Sequence, residues 1–177
     1  MNKLFFLLGF IGLFTIANSC TDKCKDVNCN NGICVDGNCS CDFGWMGENC
    51  NIKESSVFFG EWKGVLSCVN DTVIFQIDDV ANELQKLKMH TKGLSFNFGN
   101  FPINFDSYVF DGNIDSTFSR FDLDTLNVSL TIPNFGDINV ELSGDGEFKE
   151  DSLLGLNLNI LAKSLNYTIV CKGDFDK

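Results

Sequence analysis

The chain has few basic residues and a single histidine, and these shortages exclude several functions. Its 177 residues contain 13 Lys and Arg against 24 Asp and Glu, a formal net charge of −11. Because nucleic-acid binding depends on Lys and Arg contacts to phosphate, this balance argues against a nucleic-acid partner. The only histidine, His90, lies between Met89 and Lys92 in a lysine-rich stretch. That setting is more typical of a solvated strand than of a general base.

Catalytic and cofactor motifs are also missing. The sequence has no G-x-S-x-G elbow for a nucleophilic serine and no glycine-rich loop for phosphate. Carboxylates are plentiful, but no pair is marked by the apolar surroundings expected of a glycosidase acid. The acidic run Asp111–Asp115 is followed by Ser116, where a calcium loop needs glycine, and the closing Glu is absent. We therefore predict no enzyme, no catalytic residues, no cofactor and no metal site, and the sequence leaves any ligand-binding residues unknown.

Nine cysteines divide the chain into three parts. Cys20 ends an apolar leader, six cysteines follow between Cys24 and Cys50, and Cys68 and Cys171 stand alone in the remainder. An odd number of cysteines in an exported chain normally leaves one thiol unpaired. All nine cysteines are accounted for if Cys20 carries a lipid and the other eight cysteines form four disulfides.

Residues 1–19 predict a secretory signal. Lys3 precedes an apolar stretch that is shorter than the roughly 20 residues of a spanning helix. The segment ends Ala-Asn-Ser before Cys20, which resembles the lipobox of bacterial lipoproteins in its looser Bacteroidetes form. This resemblance implies lipidation of Cys20, a tether at 20–23, and a membrane as partner. The protein would then be lipid-anchored to the outer membrane of the cell envelope and exposed at the surface. Ordinary signal cleavage is the alternative.

The cluster at 24–50 resembles an EGF-like module. The resemblance rests on the pair Cys39-Ser-Cys41, on the step Gly44-Trp45 and on Gly47 before the last cysteine. A segment this short cannot bury enough apolar surface to fold without cross-links. Zinc is disfavoured because an exported chain meets an oxidising compartment and no histidine is near. The family implies a spacer role and three disulfide pairs: Cys24–Cys34, Cys29–Cys39 and Cys41–Cys50. The residues before Cys24 do not match calcium-binding members, so no calcium is expected.

After a linker at 51–56, residues 57–177 show the alternation typical of β-strands. In Leu154–Ile160, for example, leucines alternate with Asn157 and Asn159. Turn sequences recur at intervals typical of an antiparallel meander. Asp79–His90 is ambiguous: its apolar spacing suits a helix, but a turn followed by the strand Leu84–Thr91 is favoured.

Strands with one apolar face must close into a barrel or pack as a sandwich. Cys68 is expected in the first strand, Trp62–Val69, and Cys171 in the last, Tyr167–Lys172. If these cysteines pair, the first and last strands are neighbours, as an up-and-down barrel requires. A β-sandwich remains the alternative, because a Greek key can also bring terminal strands together.

The opening Gly60-Glu61-Trp62 resembles the G-x-W start of lipocalin-type barrels, and the body resembles the calycin-like and lipocalin-like domains of Bacteroidetes lipoproteins. The T-D-Y element of true lipocalins is missing. The family implies an antiparallel up-and-down barrel. Seven phenylalanines fit either a solid barrel interior or a cavity for a small apolar ligand: Phe96, Phe98, Phe101, Phe105, Phe110, Phe118 and Phe121.

We thus expect a mainly β protein in which a small disulfide-rich module precedes a barrel. The favoured function is non-enzymatic binding or adhesion at the cell envelope, with a protein or glycan partner and the EGF-like module as spacer. The alternative is a lipocalin-like carrier of a small apolar ligand.

Overall fold

The computed structural model describes residues 22–69, 71–98, 101–105, 107–132, 136–149 and 152–177. Its N-terminal module is built from two small hairpins. In the first, β1 (Gly32–Val35) pairs with β2 (Asn38–Cys41), and in the second, β3 (Trp45–Met46) pairs with β4 (Ile52–Lys53). The residues predicted as a linker are therefore partly ordered, since β4 lies within them and a 3-10 helix follows at Glu54–Val57.

Three disulfides hold the module together. They join Cys24 to Cys34, Cys29 to Cys39 and Cys41 to Cys50, which are the three pairs that the EGF-like resemblance implies. Only Cys29 and Cys50 among its residues are apolar and buried. Because so little apolar surface is removed from water, the cross-links must supply much of the stability of this module.

Most of the remaining chain forms a closed eight-stranded antiparallel barrel, in which each strand pairs with the next barrel strand along the chain and the last pairs with the first. The predicted barrel is thereby confirmed and the sandwich alternative is wrong. The strands of this region are β5 (Gly60–Val65), β6 (Thr72–Asp79), β7 (Lys86–Thr91), β8 (Leu94–Phe98), β9 (Phe101–Phe105), β10 (Val109–Ile114), β11 (Arg120–Ile132), β12 (Gly136–Phe148), β13 (Leu154–Ala162) and β14 (Tyr167–Asp176). A second 3-10 helix, Lys163–Leu165, joins the last two strands.

The first and last barrel strands close the cylinder. Phe175 of β14 lies opposite Gly64 of β5, and Cys171 forms a disulfide with Cys68. The predicted neighbourhood of the two strands is confirmed, but the predicted position of Cys68 is wrong. The first strand ends at Val65, and Cys68 lies in the turn beyond it. The chain bends there because it must reverse into β6, although Ser67 still bonds to Lys172 of β14.

The ambiguous stretch Asp79–His90 is not helical. β6 ends at Asp79, a turn follows, and β7 runs from Lys86 to Thr91. Hydrogen-bonded pairing on both sides of β7 overrides the helix-like spacing of its apolar residues. The favoured strand prediction is confirmed, with its start two residues later than expected.

Strands β8 and β9 form a hairpin of their own and are not part of the closed barrel. Four of the phenylalanines assigned to the barrel, Phe96, Phe98, Phe101 and Phe105, lie on this hairpin, and their side chains fall outside the described part. The hairpin is an insertion between β7 and β10, and its base is fastened by Thr91. The backbone N–H and the hydroxyl of Thr91 donate to the carbonyl of Tyr108, and the N–H of Tyr108 donates to the hydroxyl.

The antiparallel order gives the barrel two different ends. The turns β6–β7 and β10–β11 meet the module at one end, which we call the proximal end. The turns β5–β6 and β13–β14 and the β8–β9 hairpin lie at the opposite, distal end.

A candidate apolar site at the distal end of the barrel

The module docks against the proximal end through an aromatic pair. The rings of Phe43 and Phe118 lie 5.3 Å apart, and Gly44 has no room for a side chain because Leu84 and Phe118 approach it. The backbone N–H of Glu54 donates to the carbonyl of Gly44, and Lys53 forms a 2.7 Å ion pair with Asp79. Contacts on both sides of the connection therefore hold the module at one end of the barrel.

The turn that carries Phe118 is held in a conformation that aromatic residues rarely adopt. Phe118 has φ +53°, in the left-handed region that costs about 1 kcal/mol or more for an L-residue. The carboxylate of Asp115 accepts from the backbone N–H groups of Ser119 and Arg120 and from the hydroxyl of Thr117. Although burial raises the pKa of Asp115, these hydrogen bonds outweigh it and lower the pKa below the ordinary 3.8.

Large side chains fill the proximal half of the barrel. We call this group the aromatic plug: Phe58, Trp62, Phe75, Phe121 and Phe175, all at most 1% exposed. Phe58 packs edge-to-face on Phe121, and the indole N–H of Trp62 donates to the carbonyl of Phe58 at 2.7 Å. Gly146 faces the ring of Phe121 so closely that a Cβ would lie 2.2 Å from it. These contacts pack this half of the interior closely, and of the seven phenylalanines singled out in the sequence Phe121 belongs to the plug.

The distal half of the inner surface has a different lining. Strands β11 to β14 are 9 to 13 residues long, whereas β5, β6, β7 and β10 have 6 to 8. The long strands therefore extend beyond the others, and their extension carries an apolar inner face. We call it the aliphatic wall, and it consists of Val128, Leu130, Ile138, Leu142, Leu158 and Ile160.

The aliphatic wall is continuous from strand to strand. Leu130 lies opposite Ile138, and Leu142 lies opposite Ile160. Each member of the wall retains 6 to 7% exposure although its side chain points inward. The distal wall is therefore slightly less enclosed than the plug, although both belong to the same buried core. The β8–β9 hairpin lies beside this surface, where β9 approaches β11.

The distal opening carries further apolar groups. Tyr167 begins β14 on the inward-facing register but is half exposed, and Leu165 in the preceding 3-10 helix is exposed as well. Lys163 and Glu141 form an ion pair on the outside of the same strands. Among the described residues of this end, the inward-facing side chains are uncharged, which suits an apolar ligand and disfavours a charged one.

The titratable residues of the outer surface, including His90, lie away from the aliphatic wall. His90 is on the outer face and contacts Asp78 at 3.2 Å. Lys92 donates a hydrogen bond to Glu61 and attracts it electrostatically, which lowers the pKa of Glu61. Within the described ranges, no group of three or more His, Cys, Asp or Glu is placed to hold a metal ion. Cys20 and residues 1–19 lie outside the described residues.

Comparison with protein-family models, with curated proteins and with solved structures found no match. Among the described residues, no helix is long and apolar enough to cross a bilayer.

Sequence reasoning missed the division of the interior into two halves. The alternation that predicts Ile138–Leu142 and Leu154–Ile160 as strands was visible, but it does not show where the neighbouring strands end. The unequal spacing of turns, short before residue 120 and long after it, is the signal that indicates an overhanging sheet.

Proposed function

We propose that this protein is a non-enzymatic binding protein that takes a small apolar ligand into the distal half of its barrel. The observation that supports the proposal is the aliphatic wall, whose six inward-facing side chains are wholly apolar and each retain 6 to 7% exposure. Sites of this kind bind by removing apolar surface from water. The aromatic plug provides a closed floor, so the ligand enters from the distal opening.

The position of the module supports a role in directing the distal end of the barrel away from the membrane. Because the module contacts the proximal end, a tether at its N-terminus leaves the distal opening facing away from the anchor. We further propose that Cys20 carries the lipid, that residues 24–50 act as an EGF-like spacer, and that the protein is displayed on the outer membrane. Replacing Cys20 with Ala should abolish labelling by radioactive palmitate, and persistent labelling would refute the anchor.

Ligand binding can be tested by titrating the purified protein with the fluorescent fatty acid cis-parinaric acid and by native mass spectrometry. Ala162 ends β13 on the inward register beside the wall, while its neighbour Leu161 points outward. Ala162→Phe should fill the distal space and weaken binding by about tenfold or more, which corresponds to roughly 1.4 kcal/mol. Leu161→Phe serves as the matched control and should bind like the wild type. Absence of fluorescence enhancement, together with bare protein mass after extraction from cells, would contradict the carrier proposal.

Adhesion is a second candidate, favoured by the exposed side chains of Ile33 and Val35. Both lie on one face of β1, opposite the face that carries Cys34 and its disulfide. Apolar side chains exposed side by side are typical of contact surfaces. If adhesion is the function, Ile33→Asp should reduce attachment of the protein to cells and leave fatty-acid binding unchanged.

A further inference from the structure

The outer surface of the barrel carries a polar groove that is separate from the distal interior. It has a volume of about 330 Å³ and spans β12, β13 and β14. The residues of its lining that matter for binding are five polar side chains and one glycine: Glu147, Lys149, Gly155, Asn157, Lys172 and Asp174. These positions share the outward-facing register of the three strands: Gly155 lies between Glu147 and Asp174, and Asn157 lies opposite Lys172.

The groove exists because glycine occupies the centre of its floor. A Cβ on Gly155 would lie 2.6 Å from Cε of Lys149 and 3.4 Å from a carboxylate oxygen of Asp174. The Lys149 ammonium instead crosses above the glycine and forms a 2.5 Å ion pair with Asp174. The convex outer wall of a barrel thus becomes concave at this point, with long polar side chains around a bare backbone.

The lining offers donors and acceptors together. The amide group of Asn157 donates to Asp145 at 2.8 Å, which fixes the orientation of this half-buried side chain and leaves its carbonyl oxygen as an acceptor. Within the described part of the chain, the ammonium of Lys172 and the carboxylate of Glu147 have no hydrogen bond or ion pair. Two cations, Lys149 and Lys172, therefore stand beside two anions, Glu147 and Asp174, and their formal charges cancel.

We propose that this groove binds a neutral sugar. A hydroxyl group donates and accepts at once, so a ring bearing several hydroxyls can satisfy ammonium and carboxylate neighbours together. An anionic ligand would meet the carboxylates of Glu147 and Asp174 in a protein of net charge −11. A cationic ligand would meet the ammoniums of Lys149 and Lys172. The volume matches a ligand of one or two sugar rings, at the low end of ordinary ligand pockets.

The polar residues that line the groove are different from the residues that line the interior of the barrel. It lies on the outward face, whereas the aliphatic wall lies on the inward face of the same strands. Sugar binding and apolar-ligand binding can therefore succeed or fail independently.

The experiment is an NMR titration of the ¹⁵N-labelled protein with glucose, galactose, mannose and N-acetylglucosamine, each to about 50 mM, because single-site sugar binding is expected to be millimolar. Glucosamine and glucuronate provide the same ring with a charge of either sign. The expected result is a saturable shift confined to the backbone amides of 147–149, 155–157 and 172–174, with a neutral sugar bound more tightly than its charged analogues. Absence of a shift with every sugar, shifts elsewhere, or tighter binding of a charged analogue would overturn the proposal.

Two substitutions locate the site. Lys172→Ala and Glu147→Ala remove exposed side chains that have no partner among the described residues, so both variants should keep the wild-type melting temperature. Each should weaken sugar binding by about tenfold, the usual effect of losing a hydrogen bond to a charged group. Lys25→Ala removes an exposed lysine of the module and should change nothing. Equal sugar affinity in all three variants would contradict the assignment of the groove.

Discussion

The ring of Phe43 in the module lies 5.3 Å from the ring of Phe118 in the barrel, with the two planes inclined by 47°. These residues are 75 positions apart in the chain, and each belongs to a different structural unit. The contact fixes the orientation of the module relative to the barrel, which the short covalent connection alone would not do. The direction in which the barrel faces therefore depends on this aromatic pair together with the packing at Gly44, the hydrogen bond from Glu54 and the ion pair of Lys53 and Asp79.

Phe43→Ala should loosen the module without unfolding either unit. Aromatic pairs contribute about 0.5–1.5 kcal/mol beyond their buried area, and the lower end applies because Phe43 is more than half exposed. Nuclear relaxation should show the module tumbling faster than the barrel in this variant and together with it in the wild type. Ile33→Ala, which removes an exposed apolar side chain of the module without a ring contact, is the control. Unchanged relaxation in Phe43→Ala would mean that the pair does not hold the interface.

Gly146→Ala should destabilise the barrel by overpacking. The added methyl group would lie 2.2 Å from the Phe121 ring, and overpacked cores typically lose about 1–3 kcal/mol. Shortening the opposing side chain by Phe121→Leu should recover part of that loss in the double variant. Urea unfolding of the four proteins of this double-mutant cycle measures the coupling, and strictly additive effects would contradict the contact.

Ser55→Ala should leave stability unchanged or increase it. The Ser55 side chain is fully buried, and its hydroxyl has no hydrogen-bond partner within the described structure. An unsatisfied buried polar group costs about 1–3 kcal/mol, and alanine removes the hydroxyl. Ser56→Ala, at the more exposed adjacent position, should have little effect on the melting temperature. A clear loss of stability in Ser55→Ala would show that the hydroxyl is in fact bonded.

Replacing Cys68 and Cys171 with alanine should lower stability by about 4–5 kcal/mol, because the disulfide closes a segment with a sequence separation of 103. Denaturant unfolding of the double variant, with the module disulfides intact, measures the loss. A decrease below about 1 kcal/mol would indicate that the pairing of β5 with β14 closes the barrel without the cross-link.

Asp115 should make the stability of the β10–β11 turn sensitive to acid. Its pKa is lower in the folded protein than the ordinary 3.8, so its stabilising effect is complete above that value and is lost as the pH falls through the folded pKa. The stability difference between the wild type and Asp115→Asn should accordingly shrink as the pH is lowered below about 4. Thermal unfolding across this range tests the prediction, with Asp122→Asn on the outer face of β11 as control. A difference that stays constant with pH would assign the effect of Asp115 to something other than its charge.

Much of the barrel could be predicted because the signals for it are local alternation within strands and the positions of two cysteines. The leucines and asparagines of Leu154–Ile160 alternate as a one-sided strand must, and the positions of Cys68 and Cys171 indicated which strands are neighbours. The exclusion of Phe96–Phe105 from the barrel could not be predicted, because alternation is the same in a barrel strand and in a free hairpin. Closure depends on hydrogen bonds between β7 and β10 across that insertion.

The candidate sites were less predictable than the fold. The aliphatic wall arises from a difference in length between strands, and the polar groove arises where Gly155 is flanked by side chains from two other strands. Neither property belongs to any short segment of sequence. The contact between Phe43 and Phe118 is likewise a product of tertiary packing, and only the φ of Phe118 marks it locally in the structure.

The bond between Cys68 and Cys171 also has a mechanical consequence. Under the display proposed above, the protein would be pulled between its anchor and whatever it binds. The cross-link bypasses the chain between the two cysteines, so tension cannot extend that stretch, which would otherwise lengthen by about 3.4 Å per residue. In the oxidised protein, the barrel segment between Cys68 and Cys171 therefore adds no length under tension. Reduction of this bond would make the same segment extensible.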